Sequence, residues 1–170
     1  MAVPIEIDVW QGEIAELEVD AIIVPANESL FMTGPTASVL KRRAGDEVER
    51  EAVSQGPIPA GSVAVTSAGQ LAASILIHTV AVGHDLRADA QQLKRALDAA
   101  LTRADELGMR RIAVAPPGIE RGVFTAAEVA PLLLDVVAAH GELSIVIAVT
   151  SAADAAAFVA AVEAARAGAR

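Results

Sequence analysis

The residues of this chain best placed to bind a ligand follow a short apolar segment near its start. Residues 21–24 are apolar and rich in β-branched side chains, which is typical of a strand buried on both faces of a sheet. Asn27, Thr33 and Gly34 lie in the loop that follows, and a helix is predicted to open at residues 36–38. Backbone N–H groups at a helix N-terminus, reached through a loop of small residues, can approach an anion or a ribose. The same pattern also fits an ordinary connection between a strand and a helix, so both interpretations stay open.

A second strand, loop and helix follow later in the chain. Residues 111–115 are predicted to form a buried strand, and residues 116–124 form a loop rich in proline and glycine. Thr125 is the expected N-cap of the next helix, because Glu128 stands three residues on at the spacing of a capping box. If both loops lie at the same edge of the sheet, they can close over one ligand.

The rest of the chain alternates predicted strands and helices. Ile5, Ile7 and Val9 alternate with acidic residues, which predicts a strand with one wetter face at a sheet edge. Further strands are predicted at 62–67, 75–80 and 143–150, and further helices at 46–54, 89–107, 126–139 and 152–166. This order favours an α/β fold with a largely parallel sheet covered on both faces. We expect residues 1–170 to form one domain, because no linker or repeat interrupts them.

Composition excludes several classes of function. With 13 basic and 22 acidic residues, the formal net charge of −9 argues against a double-stranded nucleic acid partner. The chain has no cysteine, so disulfides, thiolate catalysis and zinc–thiolate sites are ruled out. Its three histidines are too scattered to suggest a metal motif, and we expect neither a metal nor a cofactor. No signal-peptide pattern or long apolar run is present, so we expect a soluble cytoplasmic protein without a membrane partner.

Residues 20–45, which read DAIIVPANESLFMTGPTASVLKRRAG, resemble the signature of the macrodomain family. Members of that family commonly read D-A-I-V-N-A-A-N, then a glycine-rich run, then a helix that ends in R-A-A-G. The positions that match without a gap are Asp20, Ala21, Ile22, Ala26, Asn27, Leu30, Gly34, Arg42, Ala44 and Gly45. The resemblance implies a three-layer α/β/α sandwich with a mixed, largely parallel sheet. It also implies a ligand class, ADP-ribose and its derivatives.

Two further stretches resemble ligand-binding motifs of the family. Gly12, Glu13 and Ile14 are similar to its G-D-I turn, whose acidic residue accepts a hydrogen bond from the adenine amino group. An ordinary exposed glutamate in a turn is the alternative reading of Glu13. The loop at 116–124 is similar to the family's diphosphate-binding G-T-G-x-x-G-F segment. Gly118, either Gly122 or Val123, and Phe124 can be laid on that segment.

The resemblance assigns a role to each candidate residue. Asn27 would bond a ribose, and Thr33 and Gly34 would line the first loop. Gly118, Arg121 and Gly122 would meet phosphate, and Phe124 would stack on or pack against the distal ribose. The alternative for Phe124 is a core side chain that anchors the start of a helix.

The chain also departs from the family pattern. Val24 replaces the first asparagine of N-A-A-N, and Pro35 removes a backbone donor from the glycine run. Ala37 stands where the hydrolytic members carry aspartate, and alanine cannot orient or activate a water. We therefore expect little or no hydrolase activity and assign no catalytic residue. His78 could be a general base, but a half-buried histidine bonded within the sheet is the favoured interpretation.

Glu120 raises an electrostatic question in the second loop. Glu120 stands where the family has glycine, and a carboxylate about 4 Å from a phosphate is disfavoured by roughly 4 kcal/mol at an effective dielectric near 20. Arg121 beside it would reverse the effect if it faced inward. The sequence leaves open which of the two does.

Three functions are compatible with these residues. The leading hypothesis is a module that binds ADP-ribose or a related nucleotide derivative. The second is a structural or protein-interaction module whose pocket is altered or closed, which Val24, Pro35 and Glu120 favour. The third is a weak hydrolase of ADP-ribose derivatives that works by a substrate-assisted route. The oligomeric state is left open.

Overall fold

The computed structural model describes residues 6–168, and its centre is a six-stranded sheet with the strand order β1-β6-β5-β2-β4-β3. The strands are β1 (Glu6–Gln11), β2 (Ala21–Pro25), β3 (Val63–Ser67), β4 (Ile75–Thr79), β5 (Arg111–Val114) and β6 (Ser144–Val149). The helices are α1 (Pro35–Ala44), α2 (Asp46–Gln55), α3 (Ala90–Glu106), α4 (Ala126–Ala138) and α5 (Ala152–Gly168), with a short 3₁₀ turn at Ile14–Glu16. Neighbouring strands are parallel except β3, which runs antiparallel to β4.

Strand β2 lies in the middle of the sheet and separates two apolar layers. Ala21 and Ile23 pack into a core formed with α3, α4 and α5, whereas Ile22 and Val24 pack against α1, α2 and the 3₁₀ turn. All four side chains are buried, as their unbroken apolar pattern predicts. The predicted three-layer α/β/α sandwich with a mixed, largely parallel sheet is therefore confirmed.

The edge strand and the helix starts follow from local sequence. Strand β1 pairs only with β6 among the described strands, as expected for an edge, and Ile5 lies outside the described residues. Helix α1 begins at Pro35, one residue before the predicted start, because proline has a helical φ and its missing N–H would be unpaired at this position anyway. Thr125 caps α4, with its Oγ1 3.2 Å from the Glu128 N–H nitrogen. None of the helices described between residues 6 and 168 is long and apolar enough to span a bilayer.

Asp20 ties β2 to β5 at the end of the sheet away from the two loops. Its carboxylate accepts hydrogen bonds from the backbone N–H groups of Arg111 and Arg110, both at 2.9 Å. These bonds, led by that from Arg111, hold the pKa of Asp20 below its ordinary value. Asp20 and Asn27 belong to the same sequence signature, but Asp20 sets the register of two strands, whereas Asn27 lies beyond the other end of β2.

Candidate functional site

A cleft lies where the C-terminal ends of β2, β4 and β5 meet. Because these strands are parallel, the loops that follow them gather at one edge of the sheet. We call residues 26–34 the first loop and residues 115–125 the second loop. The cleft is narrow: its cavity volume is about 30 Å³, within about 470 Å³ of space between atoms that includes open solvent. Its lining residues are Pro25, Ala26, Asn27, Phe31, Gly34, Thr79, Ala81, Val82, Pro117, Gly118, Glu120 and Arg121.

The first loop is held in a tight turn by its own backbone and by Asn27. The Leu30 N–H donates to the Asn27 carbonyl oxygen at 3.0 Å, and Asn27 Nδ2 donates to the Phe31 carbonyl oxygen at 2.9 Å. Leu30 has a φ of +64°, which is uncommon for a residue with a branched side chain. Its fully buried side chain anchors the turn.

Asn27 also presents an unpaired acceptor. Its Oδ1 is buried and has no hydrogen-bond partner among the residues that the structure describes. Such an acceptor disfavours the folded state by about 1–3 kcal/mol until a donor reaches it. Since Asn27 lines the cleft, a hydroxyl group of a bound ligand is a donor that could do so.

Glu49, on α2, stabilises the first loop through a hydrogen bond to its backbone. Its carboxylate accepts from the Met32 backbone N–H at 2.8 Å and pairs with Lys41 Nζ at 2.8 Å. The hydrogen bond from Lys41, followed by the one from Met32, holds the pKa of Glu49 below its ordinary value against the opposing effect of burial. The charged carboxylate therefore stabilises the loop at neutral pH, and this contribution is lost as the pH falls through the lowered pKa.

Replacing Glu49 by alanine should lower the free energy of unfolding by about 2 kcal/mol at pH 7, because a charge-assisted bond to the loop and an ion pair are lost. Glu47→Ala is the matched control, since the Glu47 side chain is 83% exposed and, among residues 6–168, pairs only with Arg50 one turn away on the same helix. That control should stay within about 0.5 kcal/mol of the wild type. Urea unfolding at pH 7 and pH 3 measures both, and the Glu49 effect should shrink at pH 3. Equal losses in the two variants would contradict the assigned role.

The second loop closes on the carbonyl group of Gly118. This carbonyl accepts from the N–H groups of Val123, at 3.1 Å, and Phe124, at 3.0 Å. Gly118 has a φ of +87°, and the Phe124 ring lies so close that a Cβ at residue 118 would be 2.6 Å from Phe124 Cδ2. Phe124 is partly buried and packs against the core on the α4 side. Its ring therefore shapes the loop from behind and does not line the cleft.

Glu120 reaches across the cleft to the first turn of α1. Its Oε1 accepts from the Thr36 backbone N–H at 3.0 Å and from the Thr36 hydroxyl group. Its Oε2 lies 3.5 Å from where a Cβ at Gly34 would be. The Glu120 carboxylate therefore faces the cleft. Arg121 also lines the cleft, and it forms no ion pair with any residue between 6 and 168.

The structure brings four of the ten predicted binding residues together at the cleft, namely Asn27, Gly34, Gly118 and Arg121. Thr33, Gly122, Val123 and Phe124 belong to the same two loops but do not line it. Glu13 and Ile14 lie before β2, where the Glu13 carboxylate pairs with Arg43 at 3.3 Å and Ile14 is buried. The binding roles of all ten residues, including the four that line the cleft, stay predictions.

Phe31 is a cleft residue that the sequence did not indicate. Its side chain is 50% exposed, and it lies beside Asn27 and Gly34 in the lining. An exposed aromatic ring can stack on a base or a sugar. Phe31 could have been noticed because it lies in a loop with polar residues, and the chain has only three phenylalanines and one tryptophan.

His78 and Ala37 both lie in the interior. His78 is buried in the sheet, 1% exposed, with Nε2 2.9 Å from Thr66 Oγ1, and burial lowers its pKa to about 4. It does not line the cleft. Ala37 is buried among apolar residues under α1. The described residues contain no cluster of three or more histidine and acidic side chains arranged to hold a metal ion.

Comparison with known proteins matches this arrangement to one family. The family profile described as "Macro domain" matches residues 23–133. An uncharacterized protein of Aquifex aeolicus (strain VF5) is 38% identical over 119 residues, which are 69% of this chain and 71% of that relative.

Solved structures share the fold at lower identity. The Trypanosoma brucei macrodomain in complex with ADP-ribose has a TM-score of 0.85 and 20% identity, over 95% of this chain and 71% of that one. A mutant of the Oceanobacillus iheyensis macrodomain has a TM-score of 0.83 and 18% identity, over 96% of this chain and 94% of that one.

Proposed function

Because this chain belongs to the macrodomain family, we propose that its cleft binds ADP-ribose or a related nucleotide derivative, with little or no hydrolase activity. The observation that carries the proposal is Asn27 Oδ1, a buried acceptor without a partner among the described residues, in a residue that lines the cleft. A ribose hydroxyl group is a donor of the right kind for it. The Trypanosoma brucei relative was solved with ADP-ribose bound, which supports the ligand class.

The cleft offers complementary groups for the rest of such a ligand. Arg121 supplies a positive charge that no described acidic group neutralises through an ion pair, which suits a phosphate. Phe31 offers an exposed aromatic face. The chain as a whole carries a net charge of −9, so binding of an anionic ligand depends on these local groups.

Two side chains support the proposal of weak or absent hydrolysis. Ala37 has no group that could position or activate a water, and its side chain is buried. Glu120 is the one carboxylate in the lining of the described cleft, and it is engaged by Thr36. Turnover of an ADP-ribosylated substrate at a measurable rate would favour the substrate-assisted alternative.

Replacing Asn27 by alanine should weaken ADP-ribose binding by about 10- to 100-fold, because one buried hydrogen bond to the ligand is lost. Calorimetric titration with ADP-ribose at low salt measures the effect, with AMP and ribose 5-phosphate as ligand controls. Ser29→Ala is the matched variant, since Ser29 lies in the same loop but its hydroxyl lies 3.3 Å from His84 Nε2, away from the cleft lining.

Asn27 also stabilises the turn through Phe31, so the unfolding of each ligand-free variant must be measured beside its affinity. A loss of affinity in both variants, or in neither, would contradict the role of Asn27. Absence of binding to the wild type at millimolar ADP-ribose would overturn the proposed ligand.

One observation favours a second function, a macrodomain fold that serves as a structural or protein-interaction module. The contact between Glu120 and Thr36 joins the second loop to the start of α1 across the cleft, and Pro35 removes a donor beside it. A module of this kind would neither bind ADP-ribose nor turn over its derivatives, so the same titration separates it from the leading proposal.

A further inference from the structure

The N-terminus of α1 lies at the cleft and is already occupied by an anion of the protein itself. The N-cap residue, Gly34, has no side chain to accept from the first turn, and Pro35 has no N–H to donate. Thr36 therefore supplies the first backbone N–H of the helix, and it donates that N–H to Glu120 at 3.0 Å. The cap of α1 comes from the second loop, 84 residues further along the chain.

The Glu120 contact resembles the binding of a ligand anion in three respects. The acceptor carries a negative charge, it lies at the positive end of a helix, and it takes both the N–H and the hydroxyl group of one residue. A ligand phosphate at the same place would compete for Thr36 and would also be repelled by the carboxylate. Because Glu120 accepts from both donors of Thr36, a phosphate can bond Thr36 only by displacing the carboxylate from at least one of them.

The carboxylate can move away without disturbing the core. Glu120 is exposed, and in the described part of the chain its side chain bonds only to Thr36. Gly122, two residues on, has a φ of +71° and no atom within 4 Å of its Cβ position, so that side of the loop has room. Arg121 stands next to Glu120 in the cleft lining and could pair with an incoming phosphate.

We propose that Glu120 is a specificity-determining residue of this cleft: it acts as an internal competitor of ligand phosphate at Thr36. The inference rests on the proposed function in taking ADP-ribose as the probe. Under it, a ligand without phosphate binds the cleft beside Glu120, whereas a phosphate-bearing ligand must first displace the carboxylate. The cleft thus binds phosphate-bearing ligands more weakly than the same cleft would without the Glu120 carboxylate.

Titration of Glu120→Gln and Glu120→Ala with ADP-ribose and with adenosine tests this inference. Glu120→Gln removes the charge and keeps an acceptor for Thr36, whereas Glu120→Ala removes both. We expect ADP-ribose to bind about tenfold more tightly to Glu120→Gln than to the wild type, and at least as tightly to Glu120→Ala. Adenosine affinity should change by less than about twofold, because adenosine has no phosphate to compete.

The matched control is Glu142→Gln, which changes the net charge equally at a side chain that is 86% exposed and outside the cleft lining. It should leave both affinities unchanged. Thermal unfolding of the ligand-free variants establishes that each is folded, since Glu120→Ala removes a helix cap.

The outcomes distinguish a failure of the role of Glu120 from a failure of ADP-ribose binding itself. If the wild type binds ADP-ribose and neither Glu120 variant binds it more tightly, the inference is overturned and the proposed function stands. If only the Glu120 variants bind, the inference stands and the wild type has another ligand. Absence of binding to all of them overturns both. Equal gains for adenosine and ADP-ribose overturn the inference, because the change would then be a general opening of the cleft.

Discussion

Replacing Gly118 by alanine should lower the free energy of unfolding by about 3 kcal/mol and should abolish most ligand binding. Replacing Gly122 by alanine should lower the free energy of unfolding by only about 1 kcal/mol. Both glycines lie in the second loop with a positive φ, +87° at Gly118 and +71° at Gly122. The strain of placing an alanine in the left-handed region is therefore common to the two variants. The difference between them is steric, because a Cβ at residue 118 would be 2.6 Å from Phe124 Cδ2, and one at residue 122 has nothing within 4 Å.

The steric clash in Gly118→Ala should also weaken ligand binding, whereas the backbone strain in Gly122→Ala should not. Gly118 lines the cleft, and its carbonyl closes the loop by accepting from Val123 and Phe124. Moving the Phe124 ring away from a new Cβ shifts both of these bonds and the residues between them, Glu120 and Arg121 included. We therefore expect ADP-ribose affinity to fall at least tenfold in Gly118→Ala and to change little in Gly122→Ala.

Urea unfolding and calorimetric titration of the two variants measure these effects. The double variant Gly118→Ala/Phe124→Leu tests the cause, because a smaller side chain at residue 124 relieves the clash but not the backbone strain. It should recover part of the lost stability relative to Gly118→Ala. Equal losses in Gly118→Ala and Gly122→Ala, or no recovery in the double variant, would contradict the steric explanation.

The sheet could be predicted from sequence because its patterns are local. Strand β2 is buried on both faces, so its residues form an unbroken apolar run, whereas edge strand β1 alternates apolar and acidic residues. The capping spacing of Thr125 and Glu128 fixed the start of α4. The start of α1 was misplaced by one residue, because Pro35 looked like part of a turn and is in fact the first helical residue.

The cleft could be predicted only in part, because its contacts join residues distant in sequence. The alternation of strands and helices, together with the resemblance, brought both loops to one place and identified Asn27 and Gly118. The direction of the Glu120 side chain is set by its bond to the Thr36 N–H, which has no acceptor within its own helix. Thr36 lies 84 residues away, so no local sequence pattern could predict this contact. Phe31 was missed because an exposed aromatic residue in a loop has no periodicity to mark its role.

Lowering the pH from 6.5 to about 4 should destabilise the protein by about 3 kcal/mol through His78 alone. His78 is buried in the sheet, and this burial lowers its pKa from the ordinary value of 6.5 to about 4. In the unfolded chain the imidazole regains its ordinary pKa, so between these two pH values the unfolded state binds the proton more readily. Stability is therefore undiminished above pH 6.5, falls as the pH decreases through this window, and reaches its full loss near the folded pKa.

The window distinguishes His78 from the carboxyl groups that also affect acid stability. Asp20, Glu49 and Glu51 have pKa values held below their ordinary 3.8 to 4.5 by hydrogen bonds, so their contributions are lost at lower pH than that of His78. Glu51 also acts on His78 directly, because its negative charge raises the histidine pKa against the larger effect of burial.

Urea unfolding of the wild type and of His78→Gln at half-unit steps from pH 7.5 to 4 tests the assignment. The variant retains a polar side chain at residue 78 that can bond Thr66, but that side chain does not titrate in this range. Between pH 6.5 and 4, the free energy of unfolding of the variant should therefore fall by about 3 kcal/mol less than that of the wild type. His84→Gln is the matched control, since that histidine is 59% exposed and lies in the loop after β4. If both variants flatten the pH dependence equally, or if neither does, burial of His78 is not the cause of the acid sensitivity.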